Sequence, residues 1–281
     1  MTDPVQRSSH AICNYEGTSY RADFWDGHGR EYEDLAERIA LRHLLPPTGR
    51  RLLEIGAGFG RLADLYAGYE QVILLDYAKS GLREAQARLG RSGRFLFVAA
   101  DLYHVPLVPA ICDTVVTVRV LHHVVDVPAA LRSIATVLRP GGAYVLEYAN
   151  KRNVKAIARY VLGRQRWSPF REEPVEFTDL NFDFHPRWMA HALANAGLQI
   201  EAGRAASYFR VNFLKRALPA GLLAGVDGLL QAPGAHWQPA PSVFWRCRNQ
   251  AAPGVGPVPP AGAGAGVLFR CPQCSGQDWQ E

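Results

Sequence analysis

The sequence predicts an α/β protein built on a seven-stranded, mostly parallel, doubly wound sheet with helices on both faces. Short apolar runs alternate with helix-length segments from Arg51 to Cys247, which is the rhythm of βαβ units. The runs are continuous rather than alternating in polarity, as strands buried on both faces require. The third observation concerns Leu52, Leu53 and Ile55, which lead directly into Gly56-Ala57-Gly58-Phe59-Gly60, while a second apolar run, 72–75, stops at Asp76. Strand, glycine turn, helix, strand and acid together make the layout of a nucleotide-binding crossover.

Taken in order, aromatic residues crowd the segment before the sheet: Tyr15, Tyr20, Phe24 and Trp25. They read as a lid over a ligand or as cover for a sheet edge. Residues 31–45 carry Tyr32, Leu35, Ile39 and Leu45 near helical spacing and stop at Pro46-Pro47-Thr48-Gly49. Strand one is 51–55, and its helix is expected over 60–66. Strand two is 71–75. Ser80 is the expected N-cap of a helix over 81–89 that Gly90 ends. Strand three is 95–99, strand four 114–118, a helix follows over 127–138, and Arg139-Pro140-Gly141-Gly142 turns into strand five at 143–148. A helix over 187–196 and strands at 198–201 and 243–247 complete the alternation.

The 281 residues allow one large domain or a domain with a small appendage, and 48% hydrophobic with 20% charged residues is an ordinary globular balance. No run approaches the ~18 apolar residues of a membrane span, and no apolar signal segment opens the chain. Five scattered cysteines fit a reducing cytoplasm better than a disulfide framework. The net charge of +5 favours an anionic partner without implying nucleic acid.

The glycine spacing bears on which nucleotide is held. A dinucleotide turn has Gly-x-Gly-x-x-Gly. Here Gly56, Gly58 and Gly60 are spaced two and two, Arg61 stands where the third glycine would be, and Glu54 precedes the turn by two residues. Asp76 ends strand two, Asp101 follows strand three, Asp113 opens strand four with Arg119-Val120-Leu121-His122-His123 after it, and Leu138-Arg139-Pro140-Gly141-Gly142 precedes strand five. These four motifs in register resemble the class I S-adenosylmethionine-dependent methyltransferases, of the small-molecule and quinone type. The resemblance covers residues 50–150 well and 185–247 more loosely. It implies a Rossmann-like sheet with an antiparallel last strand, S-adenosylmethionine as cofactor, and methyl transfer to oxygen, nitrogen or carbon.

The resemblance also implies roles. The loop of Gly56, Ala57, Gly58 and Gly60 would pack on the methionine part of the cofactor, with Glu54 near its amino group. Asp76 would accept from both ribose hydroxyls, which a carboxylate can do. Tyr77 would lie beside the adenine, Asp101 would accept from its amino group, Leu102 would offer backbone contact, and the Arg119 main chain would form the pocket floor. His122 and His123 stand at the carboxyl edge of strand four. They are candidates for a general base, needed only where the acceptor must lose a proton, or else shape the pocket. Tyr15, Tyr20, Trp25 and His123 are the substrate-side candidates.

Residues 150–171 hold seven bases and no acid. Lys151, Lys155 and Arg159 would share a helix face, suited to an acidic substrate, a phosphate-bearing lipid surface or RNA. The apolar stretch 218–230 reads as a packed helix or as a segment resting on a membrane interface. The expected organisation is a lid at 1–49, a methyltransferase domain at 50–249 with substrate-side insertions at 150–185 and 203–242, an Ala/Gly/Pro linker at 250–268 and a tail at 269–281. In the tail, Cys271-Pro272-Gln273-Cys274 resembles the first knuckle of a zinc ribbon, half of a four-ligand site. Three other readings remain: an RNA methyltransferase, for which no RNA-binding module is recognisable; a non-catalytic cofactor-binding protein; and an NAD-dependent oxidoreductase, disfavoured by Arg61.

Overall fold

The computed structural model describes residues 16–17, 30–90, 92–251, 260, 265–271 and 276. Its centre is one sheet of seven strands: β1 (Gly49–Ile55), β2 (Tyr69–Asp76), β3 (Phe95–Ala99), β4 (Cys112–Thr117), β5 (Leu138–Ala149), β8 (Leu198–Ala206) and β9 (Ser242–Asn249), in the order β3-β2-β1-β4-β5-β9-β8. The first five in that order run parallel, and β9 is antiparallel to both neighbours. β1, β2, β4 and β5 are buried along nearly their whole length, which is why their sequences lack polar alternation. The order of strand addition reverses between β1 and β4 while the strands stay parallel, so the carboxyl ends of β1, β2 and β4 border one crevice.

Among the described residues the helices longer than one turn are α1 (Glu31–Leu44), α2 (Lys79–Leu89), α3 (Val127–Val137), α4 (Val154–Val161), α5 (Pro186–Asn195), α6 (Asn212–Ala217) and α7 (Ala220–Trp237). One apolar cluster centres on α3, α5 and one sheet face, and the other on α1, α2 and the opposite face. A small two-stranded sheet, β6 (Val175–Thr178) with β7 (Asn181–Asp183), is added after β5.

Several local expectations change. The helix expected after the glycine turn shrinks to the 3-10 turn Ala63–Tyr66; Gly60 at φ +70° and Gly68 bracket a segment too short to propagate. Ser80 lies inside α2 rather than capping it; the cap position is Ala78, whose N–H goes to Asp76 Oδ1 at 2.8 Å. β5 starts at Leu138 and contains Arg139–Gly142, with a register shift against β4 between Cys112 and Thr114. Lys151 is not on a helix face with Lys155 and Arg159. It is buried before α4 begins, its Nζ donating to the Glu173 carbonyl at 2.6 Å.

The apolar stretch 218–230 lies mostly in α7, which packs on α1 around a buried acid. Asp227 Oδ2 accepts from the Tyr32 hydroxyl (2.5 Å) and the Tyr208 N–H (2.9 Å), and Oδ1 accepts from Gln231 Nε2 (3.0 Å). The Tyr32 hydroxyl in turn accepts from the Phe209 N–H at 2.9 Å. Removing the carboxylate strands three donors in a closed interface. Asp227→Ala is therefore expected to destabilise the fold by about 3 kcal/mol, read as a lowered urea midpoint with α1 and α7 exchanging amide hydrogens first. Among the described residues no helix is long and apolar enough to cross a membrane.

Candidate active site

The glycine loop is held from both sides. The Gly56 and Ala57 N–H groups both donate to the Leu75 carbonyl at the end of β2 (2.8 and 3.1 Å). Gly56 has φ +73°, and a Cβ there would lie 2.2 Å from Val120 Cγ2, so backbone freedom and lack of volume are both required. Gly58, at φ +51°, has nothing within 4 Å of where its Cβ would stand. The main chain thus presents an open face to the crevice.

Asp76 closes this geometry. Its Oδ2 accepts from the Gly58 N–H at 2.7 Å and its Oδ1 from the Ala78 N–H at 2.8 Å. Burial raises its pKa, and the Ala78, Gly58 and Tyr77 N–H groups oppose the rise. A carboxylate has about four acceptor positions, so the three N–H groups leave room for a ligand hydroxyl. Tyr77 next to it is 46% exposed. Glu54 lies under the loop, buried, with Oε2 accepting no hydrogen bond of normal geometry. Burial pushes its carboxyl up to about 8 against the pull of Arg61 and the Tyr66 hydroxyl. An unsatisfied buried carboxylate oxygen beside an open glycine face fits a ligand that brings a cationic or N–H donor.

Asp101 has a local task. It caps the 3-10 turn Leu102–His104, with Oδ1 accepting from the Tyr103 N–H (2.9 Å) and Oδ2 paired with His104 Nδ1 (2.8 Å). Leu102 packs its side chain on the apolar cluster.

Arg119 adopts φ +60°, a strained conformation for a side-chain-bearing residue. Its N–H donates to Glu147 Oε2 at 3.0 Å, and its guanidinium pairs with Glu37 Oε1. Glu37, on α1 and fully buried, also takes Arg61 at 2.8 Å. Burial alone would raise the Glu37 carboxyl; Arg119 and Arg61 overturn that and hold it at about 2. Arg61, notable in sequence only for not being glycine, therefore clamps the glycine loop to α1.

A second polar group of residues lines the ends of β4 and β5. Ser242 Oγ donates to Glu147 Oε1 (2.8 Å) and accepts from Arg210 (2.8 Å). Asp183, from β7, sits in the field of Arg159, Arg210 and Glu147; burial pushes it up to about 6 against the two arginines. The His122 and His123 rings lie 4.0 Å apart. Burial drives the His122 pKa well below the usual histidine range, with His123 and Arg119 adding to it, and its Nδ1 has no partner. Burial also lowers His123, whose Nδ1 lies 2.9 Å from the Leu180 carbonyl and so carries the proton, leaving Nε2 as the acceptor. Glu37, Glu147, Asp183 and Arg210 escaped the sequence reading. For Glu37 a signal existed: it shares the buried face of α1 with Ala36, Ala40, Leu41 and Leu44, and an acid on such a face needs a partner.

Tyr15, Tyr20, Trp25 and Cys274 lie outside the described residues. Nearby, Glu16 Oε2 accepts from the Ser80 N–H (3.2 Å) and the Gly17 N–H donates to Ser80 Oγ (3.3 Å), at the start of α2. Cys271 donates its N–H to the Gly276 carbonyl at 2.8 Å, and among the described residues no three potential ligands gather for a metal. Part of the expected linker is attached to the body: Leu268 is buried and its carbonyl accepts from the Val108 N–H at 3.0 Å.

Residues 53–146, which contain the glycine loop, Asp76 and the strand-four histidines, match the family model described as a methyltransferase domain. These residues are similar to that methyltransferase domain, and S-adenosylmethionine is the cofactor that the names of the relatives carry. The chain is 31% identical over 178 residues to a probable S-adenosylmethionine-dependent methyltransferase of Mycolicibacterium smegmatis, covering 61% of this chain and 59% of that protein. It is 32% identical over 165 residues to the ubiquinone biosynthesis O-methyltransferase of Xanthomonas axonopodis, covering 56% and 66%. The chain thus spans about three fifths to two thirds of these relatives. A solved S-adenosylmethionine-dependent methyltransferase from Mesorhizobium loti has the same fold, with TM-score 0.56 and 22% identity over 77% of this chain and 99% of that one.

Proposed function

We propose that this chain transfers a methyl group from S-adenosylmethionine to a small-molecule acceptor, at oxygen, nitrogen or carbon. The observation that carries the reading is the open glycine face between Asp76, with a ligand-ready carboxylate, and Glu54, with an unsatisfied buried oxygen. The residues present fit the cofactor. Asp76 would hold the ribose hydroxyls, Glu54 the amino group, Gly56–Gly60 the methionine chain, Tyr77, Asp101 and Leu102 the adenine side, and Arg119 the pocket floor. When bound, the cofactor supplies a methyl group already activated on a sulfonium, so alignment of the acceptor supplies much of the rate.

The chain's own contribution on the acceptor side is polar. Arg210, Ser242 and Glu147 form a hydrogen-bonded row beside Arg119, able to orient an acceptor that carries an acidic or hydroxyl group. A hydroxyl acceptor must lose its proton. His123, whose burial favours the neutral ring, and Asp183, near 6 and so largely ionised at pH 7, are the groups suited to take it. A hydroxyl acceptor is also what the Xanthomonas relative's O-methyltransferase name describes.

Incubation with S-adenosylmethionine and fractionated metabolite extract should release S-adenosylhomocysteine together with a product one methylene heavier. Cofactor binding without release from any fraction would leave a binding protein of the same fold and overturn the enzymatic reading.

Glu54 adds a pH signature. With its carboxyl at about 8 before binding, an incoming ammonium group favours the ionised form, so binding expels a proton at pH 7. Affinity should therefore rise with pH between roughly 5 and 8. The calorimetric enthalpy should also differ between phosphate and Tris buffers, and Glu54→Gln should abolish both effects.

A further inference from the structure

Helix α7 buries its acid and its amide and exposes an apolar side. Leu223, Ala224, Asp227, Gln231 and Gly234 face inward. Leu222, Val226, Leu229, Pro233 and Trp237 fall at steps of four and three along the outer side, one stripe of a helix. Leu229 is 79% exposed and Trp237 76%. The neighbouring α6 adds Phe213 at 75%. A surface helix normally carries charge outward. In α7 the only acid, Asp227, is buried, and the only other ionisable side chain is His236.

The segments joined to this stripe along the chain are basic, while α1, packed on the inner side of α7, brings the acids Glu31, Glu33 and Asp34. From Ala202 to Asn249, Asp227 is the sole acid, while Arg216 is exposed one turn ahead of α7. At the other end of α7, the Val154 N–H opening α4 donates to the Pro239 carbonyl at 2.9 Å, and Asn150 Nδ2 donates to the Gln238 carbonyl at 2.7 Å. So α4 begins where α7 ends. It exposes Val154, Val161 and Leu162, and Lys155, Arg159, Arg164 and Arg166 lie on or just after it. Residues 150–171 include no acid.

We propose that the outer faces of α7 and α6, with the basic residues of α4, form a docking surface for an anionic lipid membrane. The apolar stripe enters the boundary between headgroups and acyl chains while α7 lies in the membrane plane. The cations meet the negative headgroups. Charge complementarity selects this occupant over a second copy of the chain, since an isologous contact would bring the same cations together. No helix among the described residues is suited to spanning, so attachment is peripheral and salt-sensitive.

The test is sedimentation of the full chain with vesicles of phosphatidylglycerol and phosphatidylcholine in equal parts, against phosphatidylcholine alone. The chain should partition onto the anionic vesicles at least about tenfold better and come off them at about 1 M salt. Leu222→Glu with Leu229→Glu changes two exposed positions. It should cut partitioning at least about tenfold while the circular-dichroism melt and S-adenosylmethionine binding stay as in the parent. The blue shift of tryptophan emission on vesicles should largely vanish in Trp237→Phe. Failure of the parent to bind either vesicle, or equal binding by the double variant, would overturn the proposal. So would a lipid-free dimer in analytical ultracentrifugation that Leu229→Glu dissociates, which would assign the face to a second copy. None of these outcomes depends on whether the chain methylates anything.

Discussion

Asp76→Ala is expected to weaken S-adenosylmethionine binding by about a hundredfold. The carboxylate would accept two hydrogen bonds from the ribose, and bonds to a charged acceptor contribute about 1.5–3 kcal/mol each. About 3 kcal/mol in total is two decades of affinity. The variant also removes the acceptor of the Gly58 N–H, 2.7 Å from Oδ2, so the loop loses its anchor to β2 at the point where the ligand lies on it. Asp76→Asn, which keeps one acceptor oxygen, should fall between the two. Titration calorimetry at fixed pH measures all three, and an unchanged affinity in Asp76→Ala would mean that the ribose lies elsewhere.

Glu37→Gln should be the most destabilising single substitution near the site, at about 3–5 kcal/mol. Its carboxylate is fully buried between Arg61 and Arg119, whose side chains are themselves only 12% and 17% exposed. The amide is nearly the same size but leaves two guanidinium groups in a confined space without their shared anion. The melting temperature should drop by roughly 10 °C for a chain of this length. The same carboxyl predicts the acid limb of stability. Its folded pKa, about 2, is below the 4.5 of a free glutamate side chain. Its contribution is therefore present above about pH 4.5 and lost as pH falls towards 2, and in Glu37→Gln that part of the limb should flatten. Because Arg61 directly follows the glycine loop and Arg119 follows the end of β4, the variant should weaken cofactor binding as well.

The sheet was legible because two-sided burial leaves its mark locally: each parallel strand is an apolar run, and each ends at a glycine, an acid or a turn. The loop and Asp76 were legible for the same reason, since a close ligand approach demands glycine at particular positions. What escaped depends on partners far away in sequence. Arg61 and Arg119 meet Glu37 across 24 and 82 positions, and no local pattern around either arginine announces the pairing. Asp183 sits on a hairpin, β6–β7, whose four- and three-residue strands give too short a period to read. The helix expected over residues 60–66 failed because apolar spacing alone cannot separate a helix from a short turn whose Leu62, Ala63 and Tyr66 are buried against the sheet. Asp101 was assigned to the adenine on resemblance, and the structure adds the capping bonds that occupy it.

We propose that the turn from Gly56 to Gly60, with Asp76 and Glu54, is an S-adenosylmethionine site rather than a dinucleotide site. Titration calorimetry of the unmodified chain with S-adenosylmethionine, and in parallel with NAD, tests it most directly. Saturable one-site binding of S-adenosylmethionine with release of a proton at pH 7, and no heat from NAD, is the expected result. Absence of S-adenosylmethionine binding, or tighter binding of NAD, would contradict it.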